Sequence, residues 1–384
     1  MKDFQFRTPG TTIFRPGSSI DRSTYEGLGI SGKTLLVTDN TLNTLGIASK
    51  VESAIKEADI DVVMFDAVEP EPNIETVRKL VDLATKENIN SVIGLGGGSP
   101  MDVAKIVALL IPCPQPIESL YGVGNAKGVR LPLILIPTTA GTGSEATPVA
   151  VVTGDDGEKS PIVGPQFICD SVILDAELTL GLPPKITAAT GVDAMVHAIE
   201  AYTSSVRKNT ISDKLAINSL QLLHKSIKIS VMQGDDLEAR SNMLLGAMMA
   251  GLAFANSSVG AVHALAYPLG TNFHLSHGES NAMVLTSVMR FNLSHATSLY
   301  ADLSRSIIPE AIHSTDLDAS ELLINELSEL IVEVGLKDRL SEFGISKNDL
   351  IQLTDGALNQ ARLLSYNIKE MSRDDIYNVF NAVL

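Results

Sequence analysis

Four side chains of types that bind metal ions lie in two short segments of the chain. Asp193 and His197 fall in GVDAMVHAIE, and His263 and His277 fall in AVHALAYPLGTNFHLSHGESNAM. Asp193 and His197 are four residues apart, so a helix places both on one face, one turn apart. One carboxylate with three imidazoles suits Fe(II), Zn(II), Mn(II) or Ni(II), and ligand type alone does not choose among them. The segments therefore predict a site for one divalent metal ion.

A lone histidine is more often a hydrogen-bonded residue than a metal ligand. We interpret three histidines outside the set in this way: His224, His295 and His313. Asp193 and His197 differ because they share one face of an otherwise apolar helix, where an unpaired carboxylate is costly and a neighbouring metal ion removes that cost. On the residue pattern alone, His274 competes with His277 for the fourth ligand position.

A glycine-rich segment, GLGGGSP at 94–100, follows a predicted strand and precedes a predicted helix. Glycine lets a backbone approach a pyrophosphate closely, and the amides of a helix N-terminus favour its charge. A tight strand–helix turn without a ligand explains the same pattern, so the motif alone does not establish binding. The candidate phosphate-binding residues are Gly96, Gly97, Gly98, Ser99 and Pro100.

The order of these residues departs from the usual dinucleotide fingerprint. That fingerprint places Gly-x-Gly-x-x-Gly after the first strand and an acidic residue about 20 residues later. Here the glycines follow a later strand, and the candidate ribose-binding acid, Asp39, precedes them at the end of an earlier strand. The motif therefore does not prove a standard Rossmann arrangement.

A third polar cluster, PTTAGTGSE at 137–145, follows another predicted strand. Small hydroxyl residues at the carboxyl end of a parallel strand lie where α/β proteins bind ligands. A Ser/Thr-rich turn accounts for the same residues, and both interpretations stay open on local grounds. The candidate ligand-binding residues are Thr138, Thr139, Thr142 and Ser144.

The elements that must position these residues change in type along the chain. The first half alternates predicted strands with predicted helices, which indicates a parallel sheet with helices on both faces. The strands are 33–39, 61–65, 91–95, 131–136, 149–153 and 172–174, and the helices are 45–57, 74–86 and 101–110. We therefore predict an α/β nucleotide-binding domain with a Rossmann-like parallel sheet over residues 1–182.

Beyond residue 182 the pattern is helical to the end of the chain. The clearest predicted helices are 187–203, 212–225, 236–255 and 320–334. Ser372, with Asp375 three residues later, resembles a capping box that opens the last helix. We therefore predict an all-α domain over residues 183–384, which carries the metal ligands and the catalytic residues.

Composition excludes several classes of function. The net charge of −16 argues against sequence-independent nucleic-acid binding and against binding to an anionic membrane surface. The two cysteines, Cys113 and Cys169, are too few for a disulfide framework and favour a reduced, cytoplasmic protein. The N-terminus lacks the apolar core of a signal peptide. The longest apolar stretch, 243–255, has the length of a buried core helix.

Taken together, the motifs resemble those of the iron-containing (group III) alcohol dehydrogenase family. Five of them occur in order: VTD at 37–39, GGGSPMDVAK at 96–105, PTTAGTGSE at 137–145, GVDAMVHAIE at 191–200, and the block 263–282. The resemblance implies a dehydroquinate synthase-like architecture, with an α/β nucleotide domain followed by a helical domain. It also implies a homodimer that transfers hydride between NAD(P) and a small primary alcohol, diol or aldehyde.

The resemblance assigns roles to individual residues. Asp193, His197, His263 and His277 would be the metal ligands, with Fe(II) as the expected ion and Zn(II) as the alternative. Asp39 would contact the adenosine ribose, where an acid repels a 2′-phosphate and so favours NAD over NADP. The remaining cofactor contacts would come from Gly97, Gly98 and Ser99 at the pyrophosphate, from Thr138, Thr139, Thr142 and Ser144 in the second loop, and from Lys159.

One position departs from the family pattern. Several members carry histidine where this chain has Tyr267, and that histidine is thought to assist proton transfer. Tyrosine is a poor general base near pH 7, because its ordinary pKa is about 10. We therefore name His274 and Tyr267 as candidate catalytic residues, with His274 as the proton relay and the ribose hydroxyl and water as the alternative.

Three other functions stay open on the sequence. A glycerol or hydroxyacid dehydrogenase of the same superfamily is the nearest, although a carboxylate substrate would want an Arg or Lys near the metal, and the two metal-ligand segments contain none. A metal- and NAD-dependent sugar-phosphate cyclase resembling dehydroquinate synthase would return NAD unchanged. A catalytically silent nucleotide-binding protein would not need the complete set of metal ligands.

Overall fold

The computed structural model describes residues 3–155 and 159–384, and these residues form two compact units. The first unit is Thr8–Leu180, and the second combines Gly181–Leu384 with residues 3–7. The backbone N–H of Arg7 donates to Asn256 Oδ1 at 2.7 Å, and Asn256 Nδ2 donates back to the Arg7 carbonyl at 2.8 Å. These two bonds hold the N-terminal segment on the helical unit, whereas the sequence places it in the first domain.

The first unit contains a six-stranded sheet in which every neighbouring pair is parallel. Its strands, in spatial order, are β1 (Thr11–Phe14), β9 (Ser171–Leu174), β6 (Leu133–Pro137), β4 (Ser91–Gly96), β2 (Lys33–Val37) and β3 (Asp61–Phe65). The inner strands β4 and β6 are buried throughout and read as continuous apolar runs, as parallel strands covered on both faces do. The predicted parallel α/β sheet is confirmed.

The described residues of this unit form five α-helices: α1 (Arg22–Glu26), α2 (Asn40–Thr44), α3 (Ile47–Glu57), α4 (Ile74–Lys86) and α5 (Gly98–Leu110). Helix α4 has the predicted bounds, and its first turn is capped by Asn73, whose side chain accepts from the Thr76 amide. Helix α3 buries Val51 and Ile55 in the same apolar cluster as Leu36 and Ile93 of the sheet.

A second, three-stranded sheet was not expected from the sequence. It consists of β5 (Gly122–Val123), β8 (Lys159–Val163) and β7 (Val149–Thr153), with β7 and β8 antiparallel. The segment 149–153 is a strand as predicted, but it lies in this separate sheet. Strand β8 was missed because Pro161 interrupts its pattern, and proline normally counts against a strand.

The second unit is helical. Its helices are α6 (Pro184–Thr203), α7 (Thr210–Met232), α8 (Leu237–Asn256), α9 (Ala261–Phe273), α10 (His277–Ile307), α11 (Asp316–Glu333), α12 (Leu350–Leu358), α13 (Ala361–Leu364) and α14 (Arg373–Ala382). Helix α6 begins with a proline in its first turn, and it is buried almost continuously from Thr187 to Thr203. The capping box expected at Ser372 and Asp375 opens α14.

The described residues include no single helix that is both long and apolar enough to span a membrane. One bent pair, α8 with α9, meets that criterion only when the two helices are taken together across a 108° bend.

Candidate metal centre and phosphate loops

The structure brings the four metal-binding side chains of the sequence prediction together. Asp193 and His197 lie on α6, His263 lies in the first turn of α9, and His277 opens α10. One ligand atom from each lies within 4.8 Å of all the others. The Nε2 atoms of His197, His263 and His277 are 4.0, 3.9 and 3.6 Å from Asp193 Oδ1. Metal–ligand bonds of about 2.0–2.2 Å hold ligand atoms about 3 to 4 Å apart, so this spacing fits one ion.

The set is buried on one side and exposed on the other. Asp193, His197 and His263 are each buried, whereas the His277 side chain is 43% exposed. Structural metal sites are usually closed, whereas catalytic sites keep a position open for a substrate. The exposure of one ligand therefore favours a catalytic site.

His277 reaches the set because α10 begins close to α6. Gly278 makes this approach feasible, since a Cβ at that position would overlap the backbone of Ala189, one turn before Asp193. Ser276 and Glu279 form a capping box at the start of α10, and Glu279 also pairs with Lys185 of α6 at 2.8 Å. The cap and the ion pair fix the first turn of α10, and hence His277, against α6.

Asn281 lies one turn after His277 and faces the same cluster. Its Nδ2 donates to Asp193 Oδ1 at 2.6 Å and lies 3.3 and 3.2 Å from Nε2 of His263 and His277. Beyond its bond to Asp193 this NH₂ group has one hydrogen left, and the imidazole nitrogen that accepts it carries a lone pair, as a metal ligand must. These contacts show that the residues present fit a divalent metal ion.

The imidazole rings stack on one another. His197 packs against Phe254 with ring centroids 4.4 Å apart and against His263 at 4.7 Å, in both cases nearly parallel. His263 and His277 are tilted by 53° at 5.3 Å. The stack limits rotation of the rings and so helps to hold the ring nitrogens in their direction.

Electrostatics around the set favour opposite charges in close contact. Burial alone would raise the pKa of Asp193, but His197, His277, His263 and a hydrogen bond from Asn281 outweigh burial and hold it below its usual value. Burial would lower the pKa of His263, but Glu200 and Asp193 outweigh that effect and raise it. The carboxylate is thus kept in its anionic, ligating form.

The two candidate proton-relay residues lie at different places around α9. The Tyr267 ring is 6.2 Å from that of His277, tilted by 59°. His274 is exposed at the C-terminal end of α9, with a left-handed φ of 57°, and it is not part of the four-residue cluster. His277 lies in the cluster and His274 does not, which favours His277 as the fourth ligand, and the relay roles stay predictions.

The glycine-rich segment forms the turn between β4 and α5. Gly97 is the N-cap of α5, and the helix begins with Gly98, Ser99 and Pro100. The backbone N–H groups of Gly98 and Ser99 point toward the turn, whereas proline has none. Gly96 has a φ of 151°, and a Cβ there would lie 2.7 Å from Pro100 Cγ. Only glycine fits, and the turn exposes a helix N-terminus of the kind that binds phosphate groups.

The second polar loop lies against this turn. The backbone N–H of Thr138, at the end of β6, donates to the Gly96 carbonyl at 3.0 Å. A Cβ at Gly97 would be 3.7 Å from Thr139 Oγ1, and one at Gly98 would be 3.3 Å from Thr142 Cγ2. The structure therefore places both loops at one edge of the sheet, as expected for the carboxyl ends of neighbouring parallel strands.

Ser144, in contrast, already has partners inside the protein. Its hydroxyl donates to Asp102 Oδ1 at 2.6 Å and accepts from the buried Lys105 Nζ at 2.7 Å. A contact between Ser144 and a cofactor stays a prediction, and it would compete with these two hydrogen bonds.

Two further predicted cofactor residues also have internal partners. Lys159 Nζ pairs with Glu71 Oε1 at 2.6 Å. Asp39 caps α2, since its Oδ1 accepts from the Leu42 amide at 3.0 Å. A capped helix accounts for Asp39 on structural grounds, so its ribose contact stays a prediction.

The sequence interpretation missed two residues of the metal centre. Glu200 accepts a hydrogen bond from His263 Nδ1 at 2.7 Å, and Asn281 contacts three of the four ligands. Both carried a detectable signal. Glu200 follows Asp193 by seven residues and Asn281 follows His277 by four, and each spacing returns to the same helix face.

The chain combines two features. One unit is a parallel α/β fold with a glycine-rich strand–helix turn, and the other is helical and carries a carboxylate and three imidazoles. Together they indicate a metal-binding protein with a nucleotide-binding type of fold. Family models narrow this class. The model described as iron-containing alcohol dehydrogenase matches residues 9–176, and that of the C-terminal part of the same family matches residues 187–384. The chain belongs to the iron-containing alcohol dehydrogenase family.

Individual relatives cover nearly the whole chain. This chain is 38% identical over 351 residues to long-chain-alcohol dehydrogenase 1 of Geobacillus thermodenitrificans, and the match spans 91% of this chain and 88% of that protein. The crystal structure of a 1,3-propanediol oxidoreductase superimposes with a TM-score of 0.95 at 30% identity over 100% of both chains. That of sulfoacetaldehyde reductase from Bifidobacterium kashiwanohense, in complex with NAD⁺, gives 0.89 at 28% identity over 100% and 99%.

Proposed function

We propose that this chain is a metal-dependent, NAD-linked alcohol dehydrogenase and aldehyde reductase. It transfers hydride between nicotinamide and a small primary alcohol or diol. The observation that carries the proposal is the convergence of Asp193, His197, His263 and His277 within 4.8 Å. Membership of the iron-containing alcohol dehydrogenase family and the names of the relatives support it.

Asp193 and the three histidines would hold one divalent ion. A carboxylate and three neutral imidazoles cancel one of its two positive charges, so a net positive charge stays at the site. The bound metal supplies Lewis acidity, which lowers the pKa of an alcohol and polarises an aldehyde carbonyl. Fe(II) is the ion that we propose, from the family description, with Zn(II) as the alternative because the ligand types suit both.

The cofactor that we propose is NAD. Gly97, Gly98 and Ser99 would hold its pyrophosphate at the N-terminus of α5, where amide groups and the helix dipole favour negative charge. The adjacent hydroxyls of Thr139 and Thr142 would line the same edge. An acid at Asp39 opposes a 2′-phosphate, which favours NAD over NADP, and the NAD⁺ complex of the sulfoacetaldehyde reductase agrees with this choice.

We propose His274 as the proton relay, with Tyr267 as the second catalytic candidate, whose ring lies 6.2 Å from that of His277. An exposed imidazole can exchange protons with water near neutral pH, which a phenol does poorly. The variant His274→Ala should therefore change the pH dependence of kcat/KM. An unchanged pH–rate profile would remove His274 from the mechanism.

We also propose a cytoplasmic homodimer. The family resemblance supports the dimer, and the free thiols of Cys113 and Cys169 agree with a reducing compartment. Sedimentation equilibrium of the purified protein should give twice the chain mass, and a monomer would contradict the assembly.

An anaerobic substrate screen tests the reaction. Protein reconstituted with Fe(II) is assayed with primary alcohols and diols, with NAD and NADP in parallel, by following reduced-cofactor absorbance. We expect net NADH formation with at least one small alcohol and a preference for NAD. A chain that binds metal and NAD but consumes a sugar phosphate without net NADH would be a cyclase, and the proposal would fail.

A further inference from the structure

Glu200 is a buried carboxylate on the helix that carries two of the metal ligands. It follows Asp193 by seven residues and His197 by three on α6, so all three side chains share one face. Glu200 is only 6% exposed. A carboxylate in such a position is costly unless its oxygens accept hydrogen bonds.

Three N–H groups at the start of α9 donate to this carboxylate. The backbone amides of Gly260 and Val262 donate to Oε2 and Oε1 at 2.9 and 2.7 Å. Nδ1 of His263 donates to Oε2 at 2.7 Å. Because Gly260 is the N-cap of α9 and has no side chain to accept from the first turn, Glu200 replaces that cap from a different helix.

The third bond determines the chemical form of His263. A carboxylate oxygen only accepts, so Nδ1 must carry a hydrogen, and in the neutral ring Nε2 then carries the lone pair. Nε2 is the nitrogen that faces Asp193 Oδ1, at 3.9 Å, and Asn281 Nδ2, at 3.3 Å. A histidine binds metal through its unprotonated nitrogen, and a carboxylate on the other nitrogen fixes both the tautomer and the ring orientation.

We propose that Glu200 is a positioning residue that sets His263 in its metal-binding tautomer before a metal ion arrives and joins α9 to the ligand-bearing face of α6. One side chain thereby couples a ligand pair from one helix to a ligand from another. The inference rests on the proposed metal site, which it deepens.

The test compares three forms of the full-length chain: wild type, Glu200→Gln and Asp236→Ala. Glu200→Gln keeps the size of the side chain but replaces one acceptor oxygen with an NH₂ group, which opposes one of the three donors. Asp236→Ala is the matched control, because Asp236 caps α8 through the Ala239 amide and does not contact the ligand set. Both variants lose a helix cap, so a merely structural role for Glu200 would affect them alike.

The first readout is the tautomer of His263 in the metal-free protein, from two-bond ¹H–¹⁵N spectra at alkaline pH, where the imidazole is neutral. We expect the Nδ1–H form in wild type and in Asp236→Ala, and a substantial Nε2–H population in Glu200→Gln. The second is Zn(II) affinity by competition with a chromophoric chelator, which should fall about 10–100-fold in Glu200→Gln. It should stay within about twofold of wild type in the control, whose ligand set keeps its orienting bonds.

A Glu200→Gln variant with the wild-type tautomer and Zn(II) affinity would overturn the inference. So would an equal loss of affinity in Asp236→Ala, which would show that capping alone matters. If Glu200→Gln shifts the tautomer and weakens Zn(II) binding while the wild type oxidises no alcohol, the inference stands and the proposed reaction fails. If His277→Ala binds Zn(II) as the wild type does, the proposed four-ligand site fails, and the inference fails with it.

Discussion

Each of the two units buries a cluster of polar side chains, and the clusters differ in the groups that surround their buried carboxylate. In the first unit the fully buried Lys105 donates to Ser144 Oγ at 2.7 Å and to the Val149 carbonyl at 2.6 Å. Asp102, 3.6 Å from the ammonium, accepts from Ser144 Oγ and from the Val151 amide. Burial lowers the pKa of Lys105 and raises that of Asp102, and each charge opposes the other's shift.

The second unit buries Asp193 among three imidazoles instead. Its four ligand atoms are held in place by groups outside the set: Glu200 on His263, Phe254 on His197, and Asn281 on the carboxylate. No lysine or arginine among the described residues forms an ion pair with Asp193, in contrast to Asp102.

This difference separates a structural polar cluster from a binding one. Buried charges are retained in folded proteins when they are paired or when they coordinate a metal ion. The Lys105 cluster satisfies the first condition, and the geometry of the Asp193 cluster suits the second. The contrast predicts that mutations in the first cluster should affect stability and that those in the second should affect metal binding.

The largest effect should follow from Lys105→Met, which leaves Asp102 buried without its cation. Breaking a buried pair on one side costs about 3–5 kcal/mol of unfolding free energy. Urea denaturation of the metal-free protein measures this loss, and the double variant with Asp102→Asn should recover part of it. A loss below about 1 kcal/mol would show that the pair is not a structural requirement.

Metal addition provides the matching experiment on the second cluster. A divalent ion at about 100 times its dissociation constant should raise the unfolding free energy by about 2.7 kcal/mol. Asp193→Asn should abolish this gain, because it removes the carboxylate ligand of the proposed site. Thermal and urea unfolding with and without Zn(II) measure this gain. If Asp193→Asn were stabilised by Zn(II) as much as the wild type, the assignment of this cluster to metal binding would be contradicted.

Glu145, a buried carboxyl close enough to Lys105 to affect its pKa, makes the stability of the first unit depend on pH. Burial raises the pKa of this carboxyl from its usual 4.5 to about 7, against the smaller effects of its own backbone amide and of Lys105. The folded state therefore holds a proton that the unfolded state has released, and stability falls as pH rises from 4.5 to about 7. Glu145→Gln should remove that dependence and add about 3 kcal/mol at pH 8, an order-of-magnitude figure from linkage.

The measurement for Glu145 is urea unfolding of wild type and Glu145→Gln across this pH range. The difference between the two curves isolates one carboxyl from all other titrating groups. Parallel curves would mean that Glu145 ionises in the folded protein as it does in the unfolded one.

The smallest effect should come from Asn281→Ala, which removes the amide shared by Asp193, His263 and His277. Groups that orient ligands typically contribute about tenfold or more to metal affinity, so Zn(II) binding should weaken by about tenfold. Asn292→Ala is the control, because Asn292 lies on the same helix and pairs with Asn367 instead. Equal affinities in the two variants would show that Asn281 does not orient the set.

Much of the fold could be predicted from local pattern. Helix α4 and strands β3 and β7 have the predicted bounds, because an amphipathic stripe or a short apolar run between turn residues defines them locally. Strand β1 was missed because it is short and mostly exposed, and it forms only by pairing with β9, some 160 residues later. Non-local pairing of this kind leaves little signal in the segment itself.

The residues of the candidate metal centre also differ in how far the sequence alone predicts them. Helical spacing paired Asp193 with His197 and residue type added His263, whereas the choice of His277 over His274 depended on the resemblance to a family. The roles of Glu200 and Asn281 required coordinates, because hydrogen bonds between α6, α9 and α10 depend on how these helices pack. Sequence spacing places such residues on a face but does not say which side chain they meet across it.

Anomalous diffraction from crystals of the metal-loaded protein tests the central claim most directly. We predict one ion per chain, bonded at about 2.0–2.3 Å to a carboxylate oxygen of Asp193 and to Nε2 of His197, His263 and His277. An ion bound elsewhere, or one that leaves two or more of these four side chains uncoordinated, would contradict the account.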